Sequence, residues 1–164
     1  MNFSDHIIIL ATSADSPVSV MTLAPSASGL GESEEETLQR YASECGGTVV
    51  PASTLPAAEF RDAWRFNKAA KKITIDLTQV SEIILAAVRR RRNTALEKLD
   101  VPSMIAIEQG HTEDLNRIRK QKEKLRDLPP VIEARLREIV RSKKSQKKKL
   151  EEMTSLEIPE LDEV

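Results

Sequence analysis

The sequence predicts an α+β fold, with a small N-terminal head of β-hairpins and one helix, followed by an antiparallel helical hairpin and a further C-terminal helix. All aromatic residues lie in residues 1–76, which also contain short β-rich runs with apolar positions at a period of two. After Asp76 the apolar positions recur every three or four residues. We therefore expect a head over residues 1–76, the helices over residues 77–150, and an acidic flexible tail over residues 151–164.

The head begins with two β-rich runs, "HIIIL" at residues 6–10 and "VSVMTL" at residues 18–23. The turn formers of "ATSADSP" separate them, which predicts a first hairpin. Ser33 lies three residues before Glu36, the spacing of a capping box, and Gly46 is a typical helix stop. These signals predict a short helix, and "TVVPA" after it predicts a brief strand.

A second hairpin is predicted around the aromatic cluster "EFRDAWRFN". Trp64 and Phe66 alternate with a polar residue, and Ile73 and Ile75 do the same after "NKAAKK". Their apolar side chains would share one face of the hairpin. An alternative remains open, in which Phe60 and Trp64 pair at i, i+4 on a helix.

The first helix of the C-terminal half is predicted to be long. Asp76 and Gln79 give its capping signal, and apolar residues recur for several turns as far as Leu99. The motif "LDVPS" interrupts the pattern. A short helix follows that carries Met104 and Ile105, and Gly110 closes it.

Further helices are predicted on either side of a proline pair. Thr112 would cap one helix, "LPP" at residues 128–130 would end it, and another would begin at Val131. Folding back should bring two apolar stripes together, with Ile84 and Val88 opposite Ile118 and Leu125. The last helix would then have few partners within the chain. We therefore expect an intermolecular contact at the following residues: Leu136, Ile139 and Val140.

The sequence contains little that could support catalysis. Cys45 is the only cysteine, and the two histidines lie far apart at positions 6 and 111. That inventory excludes a multi-thiolate metal site, and no glycine-rich phosphate loop occurs. We expect no enzymatic activity, no metal and no cofactor. The apolar run "HIIILA" is too short to span a bilayer, so no membrane partner is expected.

Two basic segments raise the alternative of nucleic-acid binding. "RRRR" covers residues 89–92, and "RSKKSQKKK" covers residues 141–149. No aromatic residue lies among them for base stacking, and an acidic stretch follows the second segment directly. The formal net charge of the chain is only −1. We therefore favour solvated charges, and the acidic stretch would either pair with the basic block or compete for a basic partner.

Between Ala52 and Pro129 the sequence resembles a widespread phage and prophage family. The resemblance rests on "ASTLPAAEFRDAWRF", "ITIDLTQVSEI", "RRRRNTALEKLDVPSMIAIEQG" and "RIRKQKEKLRDLP". The helical hairpin is also similar to the helical module of tail fibre assembly chaperones. The residues that match the pattern are Phe60, Arg61, Asp62, Ala63, Trp64, Leu99, Asp100, Met104, Gly110, Leu125, Arg126 and Asp127. The chain departs from it after Pro130, and its first fifty residues are only loosely similar.

The resemblance implies a small, non-enzymatic tail-associated protein that binds another tail or tail-fibre protein during assembly or as a virion component. It would then be found in the host cytoplasm during assembly or in the virion tail. A structural subunit of the neck or baseplate, a nucleic-acid-binding module and a homo-oligomer remain alternatives. The resemblance also favours a structural role over a ligand platform for the aromatic box: Phe60, Arg61, Asp62, Trp64 and Phe66.

Overall fold

The computed structural model has the predicted α+β fold. It describes residues 5–11, 18–24, 31–67, 69–156 and 158. Its contacts divide the chain into two compact units, Met1–Val80 and Ser81–Val164. This division lies inside the first long helix rather than just before it. Each unit is described by itself below.

A three-stranded antiparallel sheet forms the first part of the head. Strand β1 (His6–Leu10) lies at its centre, between β2 (Ser19–Met21) and β3 (Thr48–Pro51). Ile9 pairs with Val20 on one side and with Thr48 on the other. The predicted hairpin pairing and the strand after the helix are thus confirmed. The expected turn residues 12–17 lie outside the described part of the chain.

Strand β1 is apolar from Ile7 to Leu10, and both of its faces are covered. Ile7 and Ile9 belong to one cluster, which also contains Trp64 and Phe66. Ile8 points to the other face and is fully buried in a second cluster. Successive side chains of a strand alternate between its two faces, so a continuous apolar run fits a strand that is buried on both sides.

Helix α1 (Glu34–Cys45) covers the second face of the sheet with Leu38 and Ala42. Its start is the predicted capping box, in which the Ser33 amide donates to Glu36 Oε2 at 2.9 Å. These hydrogen bonds lower the pKa of Glu36. At the other end Gly46 adopts the left-handed conformation, with φ of 65°, and the chain leaves the helix in a Schellman motif.

The aromatic box forms the second hairpin rather than a helix. Two short 3-10 helices, Ala52–Thr54 and Ala58–Ala63, lead into β4 (Trp64–Asn67), which pairs with β5 (Lys72–Ile75). Phe66 lies opposite Ile73, as the alternation predicted. The i, i+4 alternative is wrong because Trp64 has extended backbone and begins a strand, and its side chain is buried in the cluster that contains Ile7 and Ile9.

Trp64→Ala should lower the free energy of unfolding by about 3 to 5 kcal/mol, the usual range for a large buried aromatic residue. Trp64 is only 3% exposed and lies in the cluster beneath β1. Urea unfolding followed by circular dichroism measures the change. Lys72→Ala, at an exposed position of the same hairpin, is the matched control. Equal stability of the two variants would contradict the scaffold role.

The second unit contains helices that follow one another closely. They are α2 (Leu77–Lys98), which begins in the head, α3 (Asp100–Glu108), α4 (Thr112–Arg141) and α5 (Gln146–Thr154). Asp76 caps α2 as predicted, because its Oδ1 accepts a hydrogen bond from the Thr78 amide at 2.9 Å. Thr112 is instead the first residue of α4, and His111 occupies the cap position without a side-chain hydrogen bond.

A buried aliphatic cluster joins α2, α3 and α4. Its buried members are Ala95, Leu99, Ala106, Ile118 and Leu125. The end of α2 thus lies against the beginning of α4, as in a helical hairpin. The prediction that Ile118 and Leu125 pack against Ile84 and Val88 was wrong. In this cluster they pack with Ala95 and Leu99, at the end of α2 and just after it.

Helix α4 continues through the proline pair, so the prediction that "LPP" ends a helix was wrong. Pro129 and Pro130 lie inside one helix of 30 residues. Proline removes a backbone hydrogen bond and crowds the preceding turn. Here the buried stripe resumes beyond the pair with Ile132, Leu136 and Ile139. Burial on both sides of the prolines offsets their local cost.

Pro130→Ala should raise the free energy of unfolding by about 1 to 3 kcal/mol, because it restores an amide donor within α4 and relieves the crowding. Pro130 is exposed, so the substitution leaves no cavity. Pro102→Ala is the control, since Pro102 lies in the first turn of α3, where an amide has no helical partner. Urea unfolding of the two variants gives the comparison. A loss of stability in Pro130→Ala would show that the proline pair is needed for the packing of α4.

The chain turns after Arg141 and forms α5, which packs against α4. Ser145 caps α5, and Met153 is buried at 1% exposure. The predicted start of the flexible tail at residue 151 was therefore wrong, because residues 151–154 are helical and Met153 is buried. Of the rest of the predicted tail, Ile158 is buried, and residues 157 and 159–164 lie outside the described residues.

Candidate interaction surface

Helix α3 exposes an unusual density of large apolar side chains. The exposed members are Val101 at 62%, Met104 at 61%, Ile105 at 45% and Ile107 at 60%. Together they present roughly 400 Å² of apolar surface, the size of patch that is often functional in a monomer. This group of four residues is called the α3 face below.

Helical geometry explains why these side chains cannot all be buried. At about 100° per residue, Val101, Met104 and Ile105 lie on one side of α3 and Ala106 lies on the opposite side. Ala106 is the residue that enters the buried cluster with α2 and α4. The smallest apolar side chain of the helix therefore faces inward, and the larger ones remain at the surface.

Both ends of α3 are fixed in position. At its start, Asp100 Oδ1 accepts a hydrogen bond from Lys122 Nζ of α4 at 2.8 Å. At its end, the His111 amide donates to the Ala106 carbonyl at 2.9 Å and the Gly110 amide donates to the Ile107 carbonyl at 3.2 Å. Gly110 has φ of 69°, so this turn is a Schellman motif. The α3 face is thus held in one orientation on the helical unit.

The three residues assigned to an intermolecular contact do not form an exposed surface. Leu136 is fully buried and Ile139 is 4% exposed, while Val140 is partly buried. The expectation that these side chains lack partners within the chain was therefore wrong. The continuous α4 helix and the added α5 helix supply more intramolecular packing than the sequence indicated.

The aromatic box divides into interior and surface residues. Phe60, Trp64 and Phe66 are buried, whereas Arg61 and Asp62 are exposed. Arg65, between the two strand aromatics, contacts Asp76 with a distance of 3.6 Å between Nη2 and Oδ2. The aromatic rings are thus unavailable for stacking with a ligand.

The basic segments lie on separate stretches of helix. Arg89, Arg90 and Arg91 are exposed on α2, and Arg92 donates hydrogen bonds to the Asn93 side chain. The second segment does not continue α4 but spans the turn into α5.

Several lysines of that second segment have intramolecular partners. Lys144 pairs with Glu152, and Lys149 Nζ donates to the Val140 carbonyl at 2.6 Å. Lys147 lies 4.0 Å from Glu151. The start of the acidic stretch therefore compensates part of the basic block.

The described residues offer few other candidate sites. No group of three or more His, Cys, Asp or Glu in that part of the chain could hold a metal ion. A surface depression is lined by residues 111–114, where Asp114 already pairs with Arg117 at 2.9 Å. Within the same described ranges, no helix is both long enough and apolar enough to cross a membrane. The α3 face is the strongest candidate for function.

Comparisons with protein-family models, with curated proteins and with solved structures give no match to this chain. The resemblance to phage tail proteins stays a prediction.

Sequence reasoning placed Met104 and Ile105 on a short helix but did not recognise the α3 face. The signal was present in "VPSMIAI", in which five of the seven residues are apolar and the other two are proline and serine. A helix of nine residues can turn only one side inward. An apolar segment of this length between two longer amphipathic helices must therefore expose part of its apolar surface.

Leu136→Ala should lower the free energy of unfolding by about 2 to 5 kcal/mol, because it leaves a cavity at a fully buried position. Met104→Gln should change it by less than about 0.5 kcal/mol, since the side chain is exposed and glutamine is a good helix former. Urea unfolding compares the two. If Met104→Gln proves as damaging as Leu136→Ala, the α3 face is buried and the candidate surface is lost.

Proposed function

We propose that this chain is a non-enzymatic binding protein that contacts another protein through the α3 face. The observation that carries the proposal is the outward orientation of four large apolar side chains on a helix that is fixed at both ends. Contact with another protein would remove that surface from water and so contribute to affinity. A short helix that presents apolar anchors commonly binds in a groove of its partner.

The biological setting that we propose is a phage or prophage tail, with a tail or tail-fibre protein as the partner. This part of the proposal is supported by the sequence resemblance between Ala52 and Pro129, which includes all of α3. The chain would act either as an assembly chaperone or as a subunit that stays in the virion. Mass spectrometry of purified virions distinguishes these two roles.

Nucleic-acid binding remains a second candidate because Arg89 and Arg90 are exposed. Its support is weaker, since Lys144 and Lys149 of the other basic segment already have intramolecular partners. A gel shift at several salt concentrations tests it, because binding through phosphate contacts weakens steeply with salt.

The double variant Met104→Gln/Ile107→Gln should reduce co-purification with tail or tail-fibre proteins by at least about tenfold, since it removes two anchors of an apolar contact. The measurement is quantitative co-purification after co-expression with the tail proteins of the phage or prophage that encodes the chain. Thermal unfolding of the double variant should match that of the unaltered protein.

Val131→Gln is the matched control for this experiment. Val131 is 61% exposed and lies on α4, outside the α3 face. It removes one apolar side chain whose fractional exposure equals that of Met104 and Ile107, and it should co-purify normally. Undiminished co-purification of the α3 double variant would contradict the proposed function, as would an equal loss in Val131→Gln.

A further inference from the structure

We propose that the α3 face binds an apolar groove rimmed by lysine or arginine on a different protein, and not a second copy of this chain. This inference rests on the proposed function and specifies the chemistry of the partner. It is carried by the acidic character of residues 99–116, the segment that contains α3, and by the size of the α3 face.

The charge around α3 is opposite to that of the remaining helical unit. Residues 99–116 contain four acidic residues and no lysine or arginine. The other residues between 81 and 156 contain 19 basic and 8 acidic residues, a formal charge of +11. The apolar residues of α3 are thus located in the acidic part of a basic unit.

Two of the four carboxylates are already compensated within the chain. Asp100 pairs with Lys122, and Asp114 pairs with Arg117. Glu108 and Glu113 are exposed, and within the described ranges neither side-chain carboxylate has an ion pair or a hydrogen bond. Glu108 ends α3, and Glu113 lies in the first turn of α4. Complementary cations on a partner would be attracted to these two carboxylates.

Two features disfavour pairing of two copies through this face. An isologous contact centred on this face would place the Glu108 and Glu113 carboxylates of both copies within one small interface, and like charges oppose association. The α3 face also presents roughly 400 Å², about half of what each partner of a stable interface usually buries. A groove in a larger protein can also contact the flanks of the exposed side of α3 and so bury more surface than a flat contact.

The test uses two amphipathic peptides of equal apolar content and opposite charge, LKKLLKLLKKLLKL and LEELLELLEELLEL. Binding of each to the full chain is measured by fluorescence anisotropy at low salt. We expect the lysine peptide to bind at least about threefold more tightly, as two exposed ion pairs would give. The helical unit outside residues 99–116 is basic and would favour the glutamate peptide, so a preference for the lysine peptide must come from acidic residues elsewhere in the chain, which the substitutions below locate.

Two pairs of substitutions locate the preference. Glu108→Gln/Glu113→Gln should abolish it, whereas Glu123→Gln/Glu138→Gln should retain it, because the second pair removes the same charge from exposed positions of α4 outside residues 99–116. Equal binding of the two peptides, a preference for the glutamate peptide, or equal effects of the two double variants would overturn the inference. So would a dimer in sedimentation velocity that Met104→Gln/Ile107→Gln dissociates.

The same experiment tests the proposed function separately, through a variant that removes apolar side chains of the α3 face. Met104→Gln/Ile107→Gln should weaken the binding of both peptides. If it weakens both but charge has no effect, the α3 face is a docking surface and only the basic rim is wrong. If neither peptide depends on α3, the docking function fails together with the inference.

Discussion

Burial of β1 on both faces is the constraint on which the head depends. A chain with 3% aromatic residues must build its core mainly from aliphatic side chains, and β1 contributes to two clusters at once. Its odd-numbered isoleucines lie against the β4–β5 hairpin, and Ile8 lies against α1. Helix, sheet and hairpin therefore form successive layers whose positions are all determined by one strand. A shift of β1 by one residue would exchange the two sets of side chains and disrupt both clusters.

Close approach between α1 and the sheet depends on the same strand. Gly47 follows the Schellman turn of α1, and a Cβ atom at this position would come within 2.5 Å of Ile8 Cγ2. Only glycine allows the chain to pass this closely from helix to β3. The paired glycines therefore have different roles, because Gly46 provides the left-handed turn and Gly47 provides the space beside β1.

Much of the fold could be predicted from the sequence because its signals are local. The Ser33 capping box, the alternation around Trp64 and the glycines after α1 and α3 each depend on a few neighbouring residues. The errors concern effects of packing at longer range. The proline pair was expected to end a helix, yet burial of Leu125 on one side and Ile132 on the other maintains it. Leu136 and Ile139 were assigned to an interface because their intramolecular packing could not be inferred from periodicity. The α3 face was missed for a related reason, since exposure depends on which side of a helix tertiary contacts select.

The fixed ends of α3 would affect both the affinity and the lifetime of the proposed complex. A segment that orders only on binding loses conformational entropy at that moment, and this loss weakens its affinity. Helix α3 is already formed, and the hydrogen bonds at its Gly110 turn hold its side chains in position before any encounter. A modest apolar area can then give useful affinity. Evolution could adjust the lifetime of such a complex by changing single side chains at positions 101, 104, 105 and 107 without altering the helix that presents them, because changes within one interface act mostly on the dissociation rate.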